Sequence, residues 1–344
     1  MNNGKNLVNG SDAGAKAGVP PSLVSVLDTC ETLPRPPGIA FRILQRTRDS
    51  TATAHDVAQI LAADPVLAGR IIRTANSPVY AQRGEVKSLD RAVTVLGFNT
   101  TRSTAVSFTL LKSLQASADE GDIDPKLFWR RSLLAAIAGR HLAAGVRGPE
   151  GEEVFLASLL QDIGILALAR AVPNLYDGLG AEQLYQEVLI NREQERFGAD
   201  HSAVGAWLAY RWQFPDEIAR GILGSHHPGL VSAEAERDSF TGCVALSSMV
   251  AEVFLDVSGR RRWVELAHGA EAQLGLSVEM LLHLLQHVSR LIPESERIYE
   301  MEILSGPDAE SVLEEASESF GAAAPSASSQ LEQEGRVESE ALES

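Results

Sequence analysis

Cysteine is scarce in this chain: Cys30 and Cys243 are the only two, and they lie far apart in the sequence. Without a CxxC spacing we expect neither a disulfide framework nor a cysteine zinc site, which suits a reducing cytoplasm. Residues 1–18 lack the apolar core of a signal peptide, and no uninterrupted apolar run approaches the roughly 20 residues that cross a bilayer. We therefore expect a cytoplasmic protein that is not attached to a membrane.

Positive charge is also in short supply, because 30 Lys and Arg stand against 46 Asp and Glu, a net charge of −16. The segment 308–344 carries ten acidic residues and one basic residue, so −9 of that charge lies in this tail. A surface of this sign repels phosphate backbones, and nucleic acid is not the partner we expect. The basic run at 260–262 is interpreted as a solvated turn before a helix.

Several sequence patterns of common enzymes are missing. The chain has no GxSxG turn, no P-loop, no GxGxxG followed by an acidic residue, and no Cys–His arrangement for nucleophilic catalysis. It also has no alternating apolar run of useful length and no repeat of fixed period. These absences leave an all-α fold as the prediction.

The sequence does contain a succession of helix signals. Thr53, with an acidic residue three positions later, predicts an N-cap, and Asp64 and Asp124 are each followed by a proline in the first helical position. Ser277 predicts a further N-cap, and Gly97 predicts a helix end. The apolar spacing predicts longer helices around 126–144, 152–169, 181–196, 200–213, 215–225, 238–257, 261–273 and 278–291.

The two ends of the chain differ in composition from the rest. Residues 1–20 are rich in Gly, Asn, Ala and Ser without periodic apolar positions, which predicts a flexible leader. Beyond about residue 320 the chain has almost no large apolar residue, so we expect disorder there as well.

Eight short motifs follow one another between about residues 25 and 290. They are Leu33–Pro37, Ala62–Leu67, Ile72–Ser77, Leu89–Gly97, Phe128–Ser132, Leu159–Gly164, Gly198–His201 and His226–Pro228. Together they resemble the HDOD family, an output domain of bacterial signalling proteins that is related to HD hydrolases. The order and spacing of the eight motifs make the resemblance specific.

The resemblance implies an all-helical fold, with an N-terminal helical bundle followed by a larger HD-like helical part. The predicted ranges are a leader at 1–20, the bundle at 21–118, the HD-like part at 119–292, a helical extension at 293–320 and a disordered acidic tail at 321–344.

The resemblance also points to the positions where an HD enzyme would hold a divalent metal ion. Arg131 stands where a ligand histidine is common, Gln161 replaces the histidine of the His-Asp pair, and Ser248 stands near where a later acidic ligand would fall. Arginine has no lone pair to donate, and glutamine is a poor ligand for transition metals. The inferred pocket retains Asp162, His201, His226 and His227.

Three losses in one pocket predict a degenerate site with no metal and no other cofactor, in which Asp162 forms a salt bridge with Arg131. A residual metal site at Asp162 and the three histidines is the alternative interpretation. We prefer the interpretation in which the histidines are hydrogen-bonding or capping residues around a polar core.

The turn at Asn76, Ser77 and Tyr80 follows a helix and could form a surface for a partner. A helix end that anchors Tyr80 in the core is the alternative that we favour.

His283 and His287 lie one helical turn apart, a spacing that can chelate zinc. Without further ligands in the pattern, we interpret them as exposed or core-edge histidines.

Two helical segments, 57–63 and 66–75, are joined by a tight turn and resemble a helix-turn-helix. The second helix would carry Arg70 and Arg73 on its outer face. Two arginines are weak support for DNA binding.

These patterns together predict a non-catalytic HDOD-type signalling protein that binds a partner protein or a small signalling ligand. The alternatives are a metal-dependent phosphohydrolase with an altered ligand set and a regulator that contacts DNA. The sequence leaves the oligomeric state open.

Overall fold

The computed structural model describes residues 9–34, 38–49, 51–80, 84–115, 123–179, 186–227, 239–255, 260–304 and 310–320. The regular elements within these ranges are helices, with no β-strand, which confirms the predicted all-α class. In chain order the α-helices are α1 (Gly10–Ala17), α2 (Pro21–Thr29), α3 (Gly38–Arg48), α4 (Ala54–Leu61), α5 (Pro65–Ala75), α6 (Leu89–Gln115), α7 (Pro125–Gly145), α8 (Gly151–Leu160), α9 (Ile163–Ala171), α10 (Gln186–Phe197), α11 (His201–Arg211), α12 (Asp216–Leu223), α13 (Ser239–Leu255), α14 (Arg260–Gly269), α15 (Val278–Tyr299) and α16 (310–320). The predicted tail at 321–344 lies outside the described residues.

The predicted N-caps are present at the starts of four helices. Thr53 and Asp56 form a reciprocal capping box at α4, and the Asp64 carboxylate accepts two backbone N–H bonds at α5. Asp124 caps α7 and Ser277 caps α15. Because a helix start leaves backbone donors unpaired, these side chains fix where the helices begin.

The single helix predicted over 152–169 is instead two helices, α8 and α9, separated by a turn at Gln161 and Asp162. Both helices are buried on nearly all sides, so the apolar pattern continues across the break and gives no sign of it. The turn leaves two polar side chains, each 1% exposed, in the middle of the protein.

Buried apolar side chains form two clusters. The smaller cluster joins α3, α4, α5 and α6 and includes Ile43, Leu61 and Ile71. The larger cluster includes Trp129 and Phe155 and surrounds the packing of α7 against α8 and α13. Helix α6 contributes to both clusters and so connects them.

The clusters do not follow the predicted ranges at every point. Leu23 and Leu27 of α2 belong to the larger cluster, although the predicted bundle at 21–118 includes them. Helix α15 runs without interruption across the predicted limit between 292 and 293.

Part of the predicted flexible leader is helical. Helix α1 begins after its N-cap residue Asn9, and Ala13 and Ala17 are buried in the larger cluster. The Trp207 indole N–H donates to the Gly10 carbonyl at 2.9 Å. The expectation of flexibility was wrong for these residues because contacts with α11, rather than a strong apolar period, hold the helix in place.

Helix α6 is kinked at Gly97, whose φ of 77° and ψ of 168° are not helical. A positive φ is readily adopted by glycine, which lacks a Cβ atom. The predicted helix end at Gly97 is therefore a kink between two helical segments.

One helical stretch, Gly151–Ala171, is long and apolar enough to cross a membrane by length and composition, although the sequence offered no such run. It comprises α8, the turn and α9, and 78% of its apolar window is buried inside the protein. The core helices of a soluble protein pass the same test, so the stretch is weak support for a membrane span.

Candidate functional site

The candidate site forms where α9 begins and lies against α11. Gly164 makes this approach possible, since a Cβ atom added there would lie 2.0 Å from the His201 carbonyl oxygen and 2.8 Å from the Gly205 nitrogen. No side chain fits in that space. The close contact between the helices sets Asp162, just before α9, beside His201 at the start of α11.

Asp162 is the centre of a buried polar cluster. Its Oδ1 atom lies 3.2 Å from His226 Nε2 and 3.8 Å from His201 Nε2, and its Oδ2 atom lies 3.3 Å from Arg131 Nε. The Arg131 contact is within ion-pair range but lacks hydrogen-bond geometry. The rings of His201 and His226 meet edge to face with centroids 4.8 Å apart.

A buried carboxylate, Glu193, holds His201 from the opposite side. Glu193 Oε2 lies 2.7 Å from His201 Nδ1 and accepts the His201 backbone N–H, also at 2.7 Å. The Tyr176 hydroxyl donates to Glu193 Oε1 at 2.6 Å. These contacts orient the imidazole so that Nε2 points toward Asp162, with no hydrogen-bond partner among the described residues.

Arg131 connects Asp162 to a second group of polar residues on α13. One terminal nitrogen of Arg131 donates to Ser248 Oγ at 2.9 Å and to Glu252 Oε1 at 2.7 Å. Arg262 donates to the other oxygen of Glu252 at 3.2 Å. The guanidinium is thus fixed between carboxylates of two helical segments.

The electrostatic environment favours the charged form of Asp162. Burial alone would raise its pKa, but Arg131 and the two nearby histidines hold the pKa well below its usual range. Burial opposes protonation of His201, yet Glu193 and Asp162 raise its pKa. The pKa of His226 is lowered, by burial first and by the neighbouring positive charges of His201 and Arg131.

The remaining predicted pocket residue on this turn, Gln161, is buried without hydrogen bonds. Neither polar atom of its amide has a partner among the described residues. Buried amides are nearly always hydrogen-bonded, so these two atoms are exceptions within the described core.

The donor set does not fit a divalent metal ion as it stands. Ligand atoms of Asp162, His201 and His226 do lie within 4.8 Å of one another. Only one of these groups is anionic, and the permanently charged Arg131 contacts the same carboxylate. The charge balance outweighs the proximity of the three donors, because the Arg131 guanidinium and a divalent cation at this range repel strongly.

His227 does not join the cluster that the sequence predicted for it. Its Nε2 atom lies 3.7 Å from Asp200 Oδ2, and its side chain is 41% exposed. The prediction was wrong at this position because consecutive residues after α12 face different directions. Asp200 itself caps α11 through the backbone N–H groups of Ser202 and Ala203.

Two residues of the site, Glu193 and Glu252, were not predicted. Glu252 lies one helical turn after Ser248, so helical spacing could have identified it as an acidic residue on the same face. Glu193 lies among charged residues of α10 that resemble a solvated helix, and the sequence carries no signal of its burial.

Most side chains of the predicted partner surface at residues 76–80 contact other residues of this protein. The Asn76 amide accepts from the Val86 N–H and donates to the Val86 carbonyl, each at 2.8 Å. Ser77 is buried, and burial raises the pKa of the half-buried Tyr80. These contacts favour the interpretation of this turn as a helix end.

The two arginines considered for DNA binding are paired within the protein. Arg70 and Arg73 both donate to the Glu300 carboxylate, and Arg70 also lies over the Phe108 ring at 5.0 Å. This arrangement ties α5 to the end of α15 and gives no support to a DNA-reading helix.

A family model for the HDOD domain matches residues 33–228, more than half of the chain. The matched range contains Arg131, Asp162, His201 and His226 but ends before Ser248 and Glu252. A curated but uncharacterized protein of Treponema pallidum is 21% identical over 240 residues, which is 67% of this chain. The chain spans 44% of that relative's length.

Solved structures share the fold. A candidate phosphohydrolase from Shewanella amazonensis is 25% identical, with a TM-score of 0.60 over 80% of this chain and 97% of that protein. An HDOD domain protein from Geobacter sulfurreducens is 22% identical, with a TM-score of 0.62 over 87% and 100%. A candidate signal transduction protein from Marinobacter aquaeolei is also 22% identical, with a TM-score of 0.59 over 86% and 66%.

Proposed function

Because the chain belongs to the HDOD domain family, we propose that it is a non-catalytic signalling protein that binds a partner protein or a small ligand. The observation that carries this proposal is the position of Arg131, 3.3 Å from the Asp162 carboxylate. The likeness to a Marinobacter protein with a signal transduction name agrees with the signalling class.

The charge of Arg131 is the physical reason for proposing that the protein is not catalytic. Two like unit charges 4 Å apart repel by about 4 kcal/mol at an effective dielectric constant of about 20, and a divalent ion doubles this. A hydrolase of this type needs a metal to lower the pKa of its attacking water. Arg131 takes over the role of neutralising Asp162 and removes that route.

The pocket residues are then suited to holding structure and a ligand. Arg131 pairs with both Asp162 and Glu252, and these two ion pairs hold α7 against α13 and against the turn before α9. The Gln161 amide and His201 Nε2 have no hydrogen-bond partner among the described residues, and a small polar ligand would reach these buried atoms once the surrounding side chains move apart.

A metal-dependent phosphohydrolase is the second candidate, and a specific observation favours it. His201 Nε2 points at Asp162 while its Nδ1 is held by Glu193, the support that metal-bound histidines commonly receive. The Shewanella neighbour carries a phosphohydrolase name.

Metal analysis of the purified protein after incubation with Mn²⁺, Zn²⁺ or Fe²⁺, with a phosphodiester hydrolysis assay, separates the two candidates. We expect the natural chain to bind metal at well below one equivalent and to show no turnover. The double variant Arg131→His with Gln161→His, which restores two imidazoles, should gain metal binding.

Asp162→Ala in the same double variant is the matched control and should abolish the gain. Stoichiometric metal in the natural chain, lost on His226→Ala and accompanied by turnover, would contradict the proposal and establish the second candidate. For the binding function, a partner recovered with the full chain from cell extract should remain bound in the presence of a chelator.

A further inference from the structure

A second group of histidines lines a groove away from Asp162. The groove lies between the end of α7 and the beginning of α15 and has a volume of about 590 Å³. This volume is within the range of small-molecule sites. His141, from α7, and His283 and His287, the pair noted in the sequence, all contribute to its lining.

The imidazoles of this groove form no hydrogen bond within the described part of the chain. The rings of His141 and His287 meet edge to face with centroids 4.8 Å apart, and no hydrogen bond joins either ring to another described residue. Burial, His287 and Arg140 lower the pKa of His141 to about 4. His141 is therefore an uncharged imidazole that can donate one N–H to a ligand.

The charge of the lining is of one sign. Arg290 is exposed, forms no ion pair within the described part of the chain, and lies one turn beyond His287. The described residues that line the groove include no aspartate or glutamate. This composition repels cations, and the described residues bring no three metal-binding groups of this groove within a common 4.8 Å.

Apart from Gln286, the remaining described lining is apolar or glycine. It includes Leu276, which is 4% exposed, and Met280, which is 48% exposed. The polar and apolar groups thus lie side by side within one cavity.

We propose that this groove binds a small organic anion, with its acidic group at Arg290 and the imidazoles and its apolar body on Met280 and Leu276. The site is separate from the Asp162 cluster, and the proposal does not depend on the function proposed above. A single guanidinium with neutral N–H donors suits a carboxylate, sulfonate or phosphate group.

The test uses two fluorescent probes with nearly the same apolar body. Anilinonaphthalene sulfonate carries an acidic group, and phenylnaphthylamine lacks it. Titration of the full chain should show saturable binding of the sulfonate. Arg290→Gln should weaken it about tenfold, equivalent to about 1.4 kcal/mol, and leave the uncharged probe unchanged.

Two further variants locate the probe. Met280→Ser, at an exposed position, should weaken both probes, whereas Arg297→Gln on the same helix should change neither. Equal sulfonate affinity in Arg290→Gln and the natural chain would overturn the proposal. So would equal losses of both probes in Arg290→Gln, or Zn²⁺ binding that His287→Ala removes while the sulfonate stays bound.

Discussion

The described part of the protein contains two clusters of histidines, and the side chains around the two clusters differ. In the first, His201 and His226 lie in the core beside Asp162, with Glu193 behind His201 and a guanidinium in front of Asp162. In the second, His141 and His287 meet at an open groove whose described lining contains no carboxylate. The same side chain is a fixed structural element in one place and an available donor in the other.

The comparison shows that the partners of a histidine decide its role. In the core, carboxylates on both sides set the charge and orientation of His201, so little is left for an external ligand except one nitrogen. In the groove, the His141 and His287 nitrogens form no hydrogen bond with another described residue, and Arg290 is the charged residue among the described lining. We therefore expect substitutions in the first cluster to change stability and substitutions in the second to change binding.

The largest effect should come from Asp162→Ala. This change leaves the Arg131 guanidinium and His226 buried without their shared carboxylate, and breaking a buried pair costs about 3–5 kcal/mol. Urea unfolding followed by circular dichroism measures the loss. The loss should be the same with and without a chelator. A loss of less than about 1 kcal/mol, or one seen only with metal present, would contradict the structural role of the first cluster.

A smaller effect is expected from Gly164→Ala, which forces a methyl group against the His201 carbonyl. Overpacking of this kind costs about 1–3 kcal/mol and would move His201 away from Asp162. Gly69→Ala is the matched control, since Gly69 lies within α5 and nothing lies within 4 Å of its added Cβ. We expect the control to stabilise the protein by about 0.5–1 kcal/mol. Equal stability of the two variants would mean that the α9–α11 contact is not tight.

The smallest effect on stability should come from His287→Ala. Surface substitutions away from buried networks usually change the free energy of unfolding by less than about 0.5 kcal/mol. Differential scanning calorimetry should give nearly the same melting temperature as for the natural chain. A large drop would show that the His141–His287 contact stabilises the fold, as the contacts of the first cluster do.

The start positions of helices could be read from the sequence because they depend on local chemistry. Asp64 and Asp124 are caps within hydrogen-bond reach of residues two or three positions away. A side chain and the backbone next to it meet in any fold that contains the helix. The predictions at Thr53 and Ser277 were confirmed for the same reason.

The geometry of the site depended on contacts distant in sequence and was only partly predictable. The family resemblance pointed to Asp162, His201 and His226, which the structure brings together. The turn at Gln161 could not be seen, because a helix buried on all sides shows no apolar period. Glu193 was missed because its burial depends on Tyr176 and His201, which no local pattern connects to it.

The hydrogen bond from Trp207 to Gly10 has a consequence for synthesis on the ribosome. It joins positions 197 residues apart, and ribosomes add about 5–20 residues per second. Helix α1 therefore waits roughly 10–40 s in the nascent chain before its docking surface on α11 exists. The residues that α1 buries, Gly10, Ala13, Gly14 and Ala17, are all small. Because these side chains expose little apolar surface, the undocked segment has little tendency to aggregate with other nascent chains.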